Sequence, residues 1–348
     1  MKFSLPLISK FSLLAILWAS CASPAREAEK EQVVNLYSHR HYESDQRLYD
    51  LFTQQTGIKV NVVEASADEV VKRLEAEGAN SPADLIITAD VGRLTRAKDS
   101  GLLQPFASTV ADGIVNPELA DPDKMWYPIT VRARVIAYSK ERVKPESITR
   151  FEDLADPRWA KKVLARSSSN VYNQSLVASV LAHLGQEDGE KWVNGMVANF
   201  AREPKGNDRD QVKDIAAGVG DLALVNTYYM GLLANSDDPA EREAYEKVGI
   251  IFPNQTDRGA HINISGVGLT KHAPNKDNAT KLLEFLLSPE AQIVLVQENY
   301  EYPVNGKVND LGPFLMGLGE FVPDTYPLSK FGSYMNEATD LCNRAGWQ

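Results

Sequence analysis

Cysteine is nearly absent from this 348-residue chain: only Cys21 and Cys342 occur, which excludes a disulfide framework. Histidine is scarce too. His39, His41, His183, His261 and His272 are dispersed, without the His-x-x-x-His or Cys clusters of a zinc site. There is no Gly-x-Ser-x-Gly elbow, and Gly266-Val-Gly268 is a fragment rather than a phosphate loop. These absences argue against an enzyme. Positive charge is in deficit, with 37 Lys and Arg against 47 Asp and Glu and a net charge of −10. That balance argues against nucleic acid or an anionic membrane as the main partner. Beyond the N-terminus no apolar run approaches the ~20 residues that span a bilayer.

What is present is enough apolar sequence, 43% of residues, for a sizeable core and more than one domain. Residues 1–23 read as an export signal: Lys2 and Lys10, the short apolar run Phe11–Ala19, then small residues around Cys21. Leu17-Trp-Ala-Ser before Cys21 is lipobox-like, although Trp18 fits poorly, so cleavage beyond Cys21 and lipid anchoring through it both stay open. Residues 24–31 have the charged, small composition of a disordered spacer.

From Val33 onward strands and helices alternate. The pattern predicts strands at 33–37, 58–63, 84–88, 131–139, 163–165, 221–226, 248–252 and 262–270. Helices are predicted at 45–56, 68–77, 94–100, 174–184, 187–200, 211–218, 241–247, 276–287 and 289–297, with a last one near 330–344. Such alternation implies parallel strands with crossover helices. The expected class is α/β, in two lobes joined by extended crossings near Val131–Ala137 and Asp257–Ile264.

Open α/β sheets bind ligands beyond the carboxyl ends of their strands. Tyr42, Tyr172 and the adjacent pair Tyr228 and Tyr229 all fall at such ends. A phenolate is a hard anionic oxygen ligand, suited to hard, highly charged cations. The plainer reading is that each tyrosine packs its ring at a strand end with its hydroxyl wet. His41 reads equally as a ligand or a surface residue, and Asn226 as a brace of the turn. Ser66 and Asp68 read as helix caps. A same-fold protein for a polyamine or other small solute is the alternative, recruiting Asp45, Asp90 and Trp126.

Val34-Asn-Leu-Tyr-Ser-His-Arg-His-Tyr42, Asp84-Leu-Ile-Ile-Thr-Ala-Asp90, Asn226-Thr-Tyr-Tyr229 and the closing Arg344-Ala-Gly-Trp347 resemble the periplasmic ferric-iron-binding proteins of ABC importers. The Arg40-His-Tyr42 start looks most like the Fut or iron-deficiency-induced branch. The resemblance covers essentially the whole mature chain and implies the two-lobed type II solute-binding fold with a ligand cleft between the lobes. The expected N-terminal lobe is 32–132 plus 259–308, and the C-terminal lobe 133–258 plus 309–348. It implies one Fe³⁺ held by Tyr42, Tyr172, Tyr228 and Tyr229, with His41 a fifth ligand or a neighbour and Arg40, Arg134 and Asn226 behind them; Arg40, Arg132 and Arg134 are the candidates to offset the negative charge of four phenolates. Related branches have small residues in place of Tyr172 that bind a carbonate or phosphate, so no obligatory synergistic anion is expected. The implied protein is a periplasmic monomer, free or tethered through Cys21, that delivers iron to an inner-membrane permease.

Overall fold

The computed structural model describes Met1, residues 32–40 and residues 42–348. The signal, Cys21, the spacer and His41 therefore lie outside the described residues. Among those described, ten strands are hydrogen-bonded: β1 (Val33–Ser38), β2 (Lys59–Glu64), β3 (Leu85–Thr88), β4 (Leu103–Gln104), β5 (Trp126–Ser139), β6 (Val163–Leu164), β7 (Leu222–Asn226), β8 (Val248–Ile251), β9 (Ile262–Thr270) and β10 (Tyr302–Pro303). The main path runs β2-β1-β3-β9-β5-β7-β6.

At its ends this path has the expected parallel pairs, β1 with β2 and β3, and β6 with β7. The middle is antiparallel instead, because β9 returns against β3 and β5 runs against both β9 and β7. β5 is the key strand. Its first part, Trp126 to Ala133, pairs with β9, and Arg134 to Tyr138 pairs with β7. It starts five residues ahead of the expected Val131, and a register shift between Pro128 and Thr130 interrupts its pairing with β9. A Pro lacks the N–H that a central ladder needs, which is why the preceding segment hides from pattern reading.

Helices follow the apolar periodicity closely. α1 (Glu43–Thr56) buries Leu48, Tyr49 and Phe52 and stops at Gly57, whose φ of 72° a side chain would disfavour. α2 (Ala67–Glu77) is capped by Ser66, with Glu69 reaching back to the Ser66 N–H. Next come α3 (Val91–Asp99), α4 (Thr109–Ile114), α5 (Val171–Ala198), α6 (Asp208–Ala216) and α7 (Thr227–Ala234). α5 joins the two helices expected at 174–184 and 187–200 across a kink at Gly185. Two large buried apolar clusters result. One centres on β1, β3 and β9; the other joins α5 to the C-terminal helix Met335–Ala345 and Trp347.

Candidate metal centre

Three strand ends deliver the tyrosines. Tyr42 follows β1 and sits directly ahead of α1 in extended backbone, with φ −84° and ψ 148°. Tyr172 lies in the first turn of α5, where the Asn170 side chain accepts from its N–H at 3.0 Å. The spacing predicts a start at Gln174; the Asn170 cap starts the helix at Val171, so Tyr172 is itself helical. Tyr228 and Tyr229 occupy the first turn of α7, immediately after β7.

The structure brings these side chains together. The Tyr228 hydroxyl donates to that of Tyr172 at 3.3 Å, and the rings of Tyr228 and Tyr229 are 4.2 Å apart. Tyr42, Tyr172 and Tyr229 line one cavity of about 300 Å³, while Tyr228 is buried beside it. The rest of the lining is His39, Ala89, Asn170 and Asn207 with four arginines, Arg40, Arg93, Arg166 and Arg209. No carboxylate lines the cavity among the described residues. Asp45, Asp90 and Trp126 are all buried away from it, so the carboxylates of a polycation site are missing.

Burial and neighbouring phenols act together on Tyr42, Tyr228 and Tyr229. Burial pushes the Tyr228 hydroxyl well above its ordinary pKa, and charge on Tyr172, Tyr229 or Tyr42 would push it further. Tyr42 is raised well above by burial, then by Tyr172 and Tyr229, against the pull of Arg40. Tyr229 is raised by burial, then by Tyr172 and Asp208, with Arg166 opposing. Without a metal, Tyr42, Tyr228 and Tyr229 therefore stay protonated. Only a strongly charged cation offers enough stabilisation to ionise them, and ligation must release protons.

Guanidinium groups surround the phenols. Arg132 and Arg166 lie 5.0 and 5.6 Å from the Tyr172 ring centre, and Arg40 lies 4.9 Å from that of Tyr42. Arg40 is buried and anchored by Asp45 at 3.0 Å and Glu301 at 2.9 Å. Arg134 is held by Asp208, by Asn173 at 2.8 Å and by the side-chain oxygen of Asn226 at 3.2 Å. Asp208 also takes Arg166 at 3.2 Å and the Asn226 backbone N–H at 2.8 Å. Arg134 and Asn226 thus brace the turn beneath the tyrosine pair. Asn226 stands at the cap position of α7, yet its side chain caps nothing and goes to Arg134.

Sequence reasoning missed Arg166, Asp208, Asn170 and Glu301. Arg166 sits two residues beyond β6, so the strand-end rule that found Tyr172 would have found it. Asp208 and Glu301 carried no such signal, since they meet Arg134 and Arg40 across 74 and 261 residues of chain. Among the described residues no group of three or more His, Cys, Asp or Glu is placed to hold a metal. Phenol oxygens, with His39 beside them, are the anionic donors this cavity can offer, and phenolate suits a hard cation.

The fold is that of a two-lobed type II solute-binding protein, and close structural matches to ferric-binding proteins share it. The chain belongs to the bacterial extracellular solute-binding protein family, whose model matches residues 80–314. It is 50% identical over 319 residues to iron uptake protein A1 of Synechocystis sp., covering 92% of this chain and 88% of that one. It superposes with a TM-score of 0.87 on the Trichodesmium IdiA (FutA) protein in complex with iron and citrate, at 47% identity, covering 91% of this chain and 100% of that one. A ferric binding protein from Campylobacter jejuni matches with the same TM-score at 43% identity, covering 90% and 100%.

Proposed function

We propose that this chain is the ferric-ion carrier of an ABC importer. It binds one Fe³⁺ through the phenolates of Tyr42, Tyr172, Tyr228 and Tyr229 and hands it to an inner-membrane permease. The observation that carries this reading is a carboxylate-free cavity lined by three phenols and four arginines, with the fourth phenol, Tyr228, against Tyr172 and Tyr229 beside it. The relatives named as iron uptake and ferric binding proteins support it over most of the chain.

Four phenolates around Fe³⁺ leave one net negative charge, and the guanidiniums of Arg132 and Arg166 beside Tyr172 offset it. An all-oxygen shell favours ferric over ferrous iron. Reduction and acidification both weaken the site, the latter because protons compete for phenolate. His41 is assigned as a fifth ligand or close neighbour. The N-terminal lobe, 32–132 with 259–308, supplies Tyr42, and the C-terminal lobe, 133–258 with 309–348, supplies the other three. The ion sits in the cleft between them, and hinge closure about the two crossing strands follows binding. Export to the periplasm through residues 1–23, with or without a lipid on Cys21, completes the reading.

Loading purified metal-free protein with ferric citrate tests it. A purple-red phenolate-to-iron band with a raised Tm is the expected result. A colourless protein with unchanged Tm defeats the reading.

A further inference from the structure

Behind Tyr172 lies a second, much smaller cavity of about 10 Å³, lined by Asp90, Arg132, Arg134, Tyr172, Asn226, His261 and Asn263. All seven residues are less than a tenth exposed. Among the described residues, five nitrogens on this lining are buried with no hydrogen-bond partner: Arg132 Nη1, Arg134 Nε, Asn226 Nδ2, Asn263 Nδ2 and His261 Nδ1. The amide orientations follow from their other ends. Asn263 Oδ1 accepts the N–H groups of Val91 and Ile264 at 2.9 and 2.8 Å, and Asn226 Oδ1 accepts from Arg134. The two free amide ends are therefore donors, as both guanidinium nitrogens must be. His261 Nδ1 adds a fifth donor in one of its neutral tautomers.

A site lined by four or five donors calls for an occupant that accepts only. Water has two lone pairs, and its own hydrogens need acceptors. The carboxylate on the wall, Asp90, already accepts from Ser175 Oγ at 2.7 Å, Gly92 N–H at 2.8 Å and Arg132 at 3.4 Å. Charge points the same way. Two guanidiniums, Arg132 paired with Asp90 and Arg134 paired with Asp208, stand on this wall, and each keeps one nitrogen with no partner. The cavity has room for about one water-sized body, which excludes sulfate, carbonate or phosphate.

We propose that this cavity is a binding site for one monatomic anion of the halide class, held between Arg132 and Arg134 of β5, Asn226 of β7 and Asn263 of β9. The anion accepts from the unpartnered donors where β5 passes from its pairing with β9 to its pairing with β7. It ties together the two strands that link the halves of the sheet. The site is separate from the larger cavity, with Tyr172 as the shared wall.

The test uses metal-free protein, so it stands or falls independently of iron binding. Crystals grown with sodium bromide should show an anomalous bromine peak between Arg132 and Asn263. In solution, chloride or bromide should raise Tm by about 2 °C or more over sodium gluconate at equal ionic strength. Asn263→Asp retains the oxygen that serves Val91 and Ile264 but puts a carboxylate oxygen in place of Nδ2. It should abolish both effects. Density without bromine signal in the wild-type cavity, or equal Tm in halide and gluconate, overturns the proposal.

Discussion

A phenol buried among other phenols is a poor acid, and that single fact sets how this site works. In the metal-free protein the Tyr228 hydroxyl is engaged by a 3.3 Å hydrogen bond to Tyr172, while its ring, which Phe keeps, lies buried against Tyr229. Tyr228→Phe should therefore leave the metal-free Tm within about 2 °C, since loss of one hydrogen bond costs only ~1 kcal/mol. Ferric affinity should fall by more than the ~10–100-fold typical of losing an outer partner of a ligand. A thermal melt of the metal-free variant checks the first, and competition titration against a chelator, read at the visible band, checks the second. Arg166 acts through charge. Its guanidinium lies by the Tyr172 ring and holds down the Tyr229 phenol, so Arg166→Gln raises that phenol further. Protons then compete better with iron, and the pH at which half the iron is released should move upward, with affinity at neutral pH about 10-fold lower. An unchanged release midpoint would show that Arg166 does not serve the shell electrostatically.

At the scale of elements, two helix starts place three of the four phenols. α7 begins directly after β7 and packs so closely on its neighbour that a Cβ on Gly231 would meet the Tyr300 ring at 2.3 Å. Gly231→Ala should push α7 outward at a cost of ~1–3 kcal/mol. Both Tm and ferric affinity should drop, because Tyr228 and Tyr229 share that helix; a Tm loss with wild-type affinity would show that the pair is positioned by β7 alone. The elements were largely legible in the sequence. Apolar spacing and glycine stops marked α1 and α2 within two residues, as the side chains of one face must repeat every turn. The start of β5 was hidden by Pro128, and the start of α5 by an Asn cap that reads equally well as loop.

For the whole molecule, the buried centre carries a pH cost. Burial, with Arg132 and Arg134 nearby, holds the His261 imidazole down at about 3 from an ordinary 6.5. In the unfolded chain the same ring takes up a proton near 6.5. Folded protein thus binds fewer protons than unfolded protein between those values, and stability falls as pH drops through that window. Metal-free Tm should decline from pH 6.5 toward 3, and His261→Gln should flatten the decline. Identical slopes for the two proteins would place the acid lability in other groups. Iron adds to this by mass action, so the loaded protein should lose its extra stability steeply in acid as phenolates are reprotonated.

The sequence by itself determined the α/β alternation, the absence of zinc-type and catalytic motifs, and the placement of four tyrosines at strand ends. Those properties are local: side-chain periodicity, caps, and the position of a residue relative to its own strand. Only the tertiary structure decided that the four phenols converge, that Arg166 joins the candidate Arg132 beside them, and that Asp208 and Glu301 anchor the arginines. Those partners lie tens to hundreds of residues apart in the chain. No local rule selects one buried carboxylate over another at that separation. It takes β5, shared between β9 and β7, to bring them to the same place.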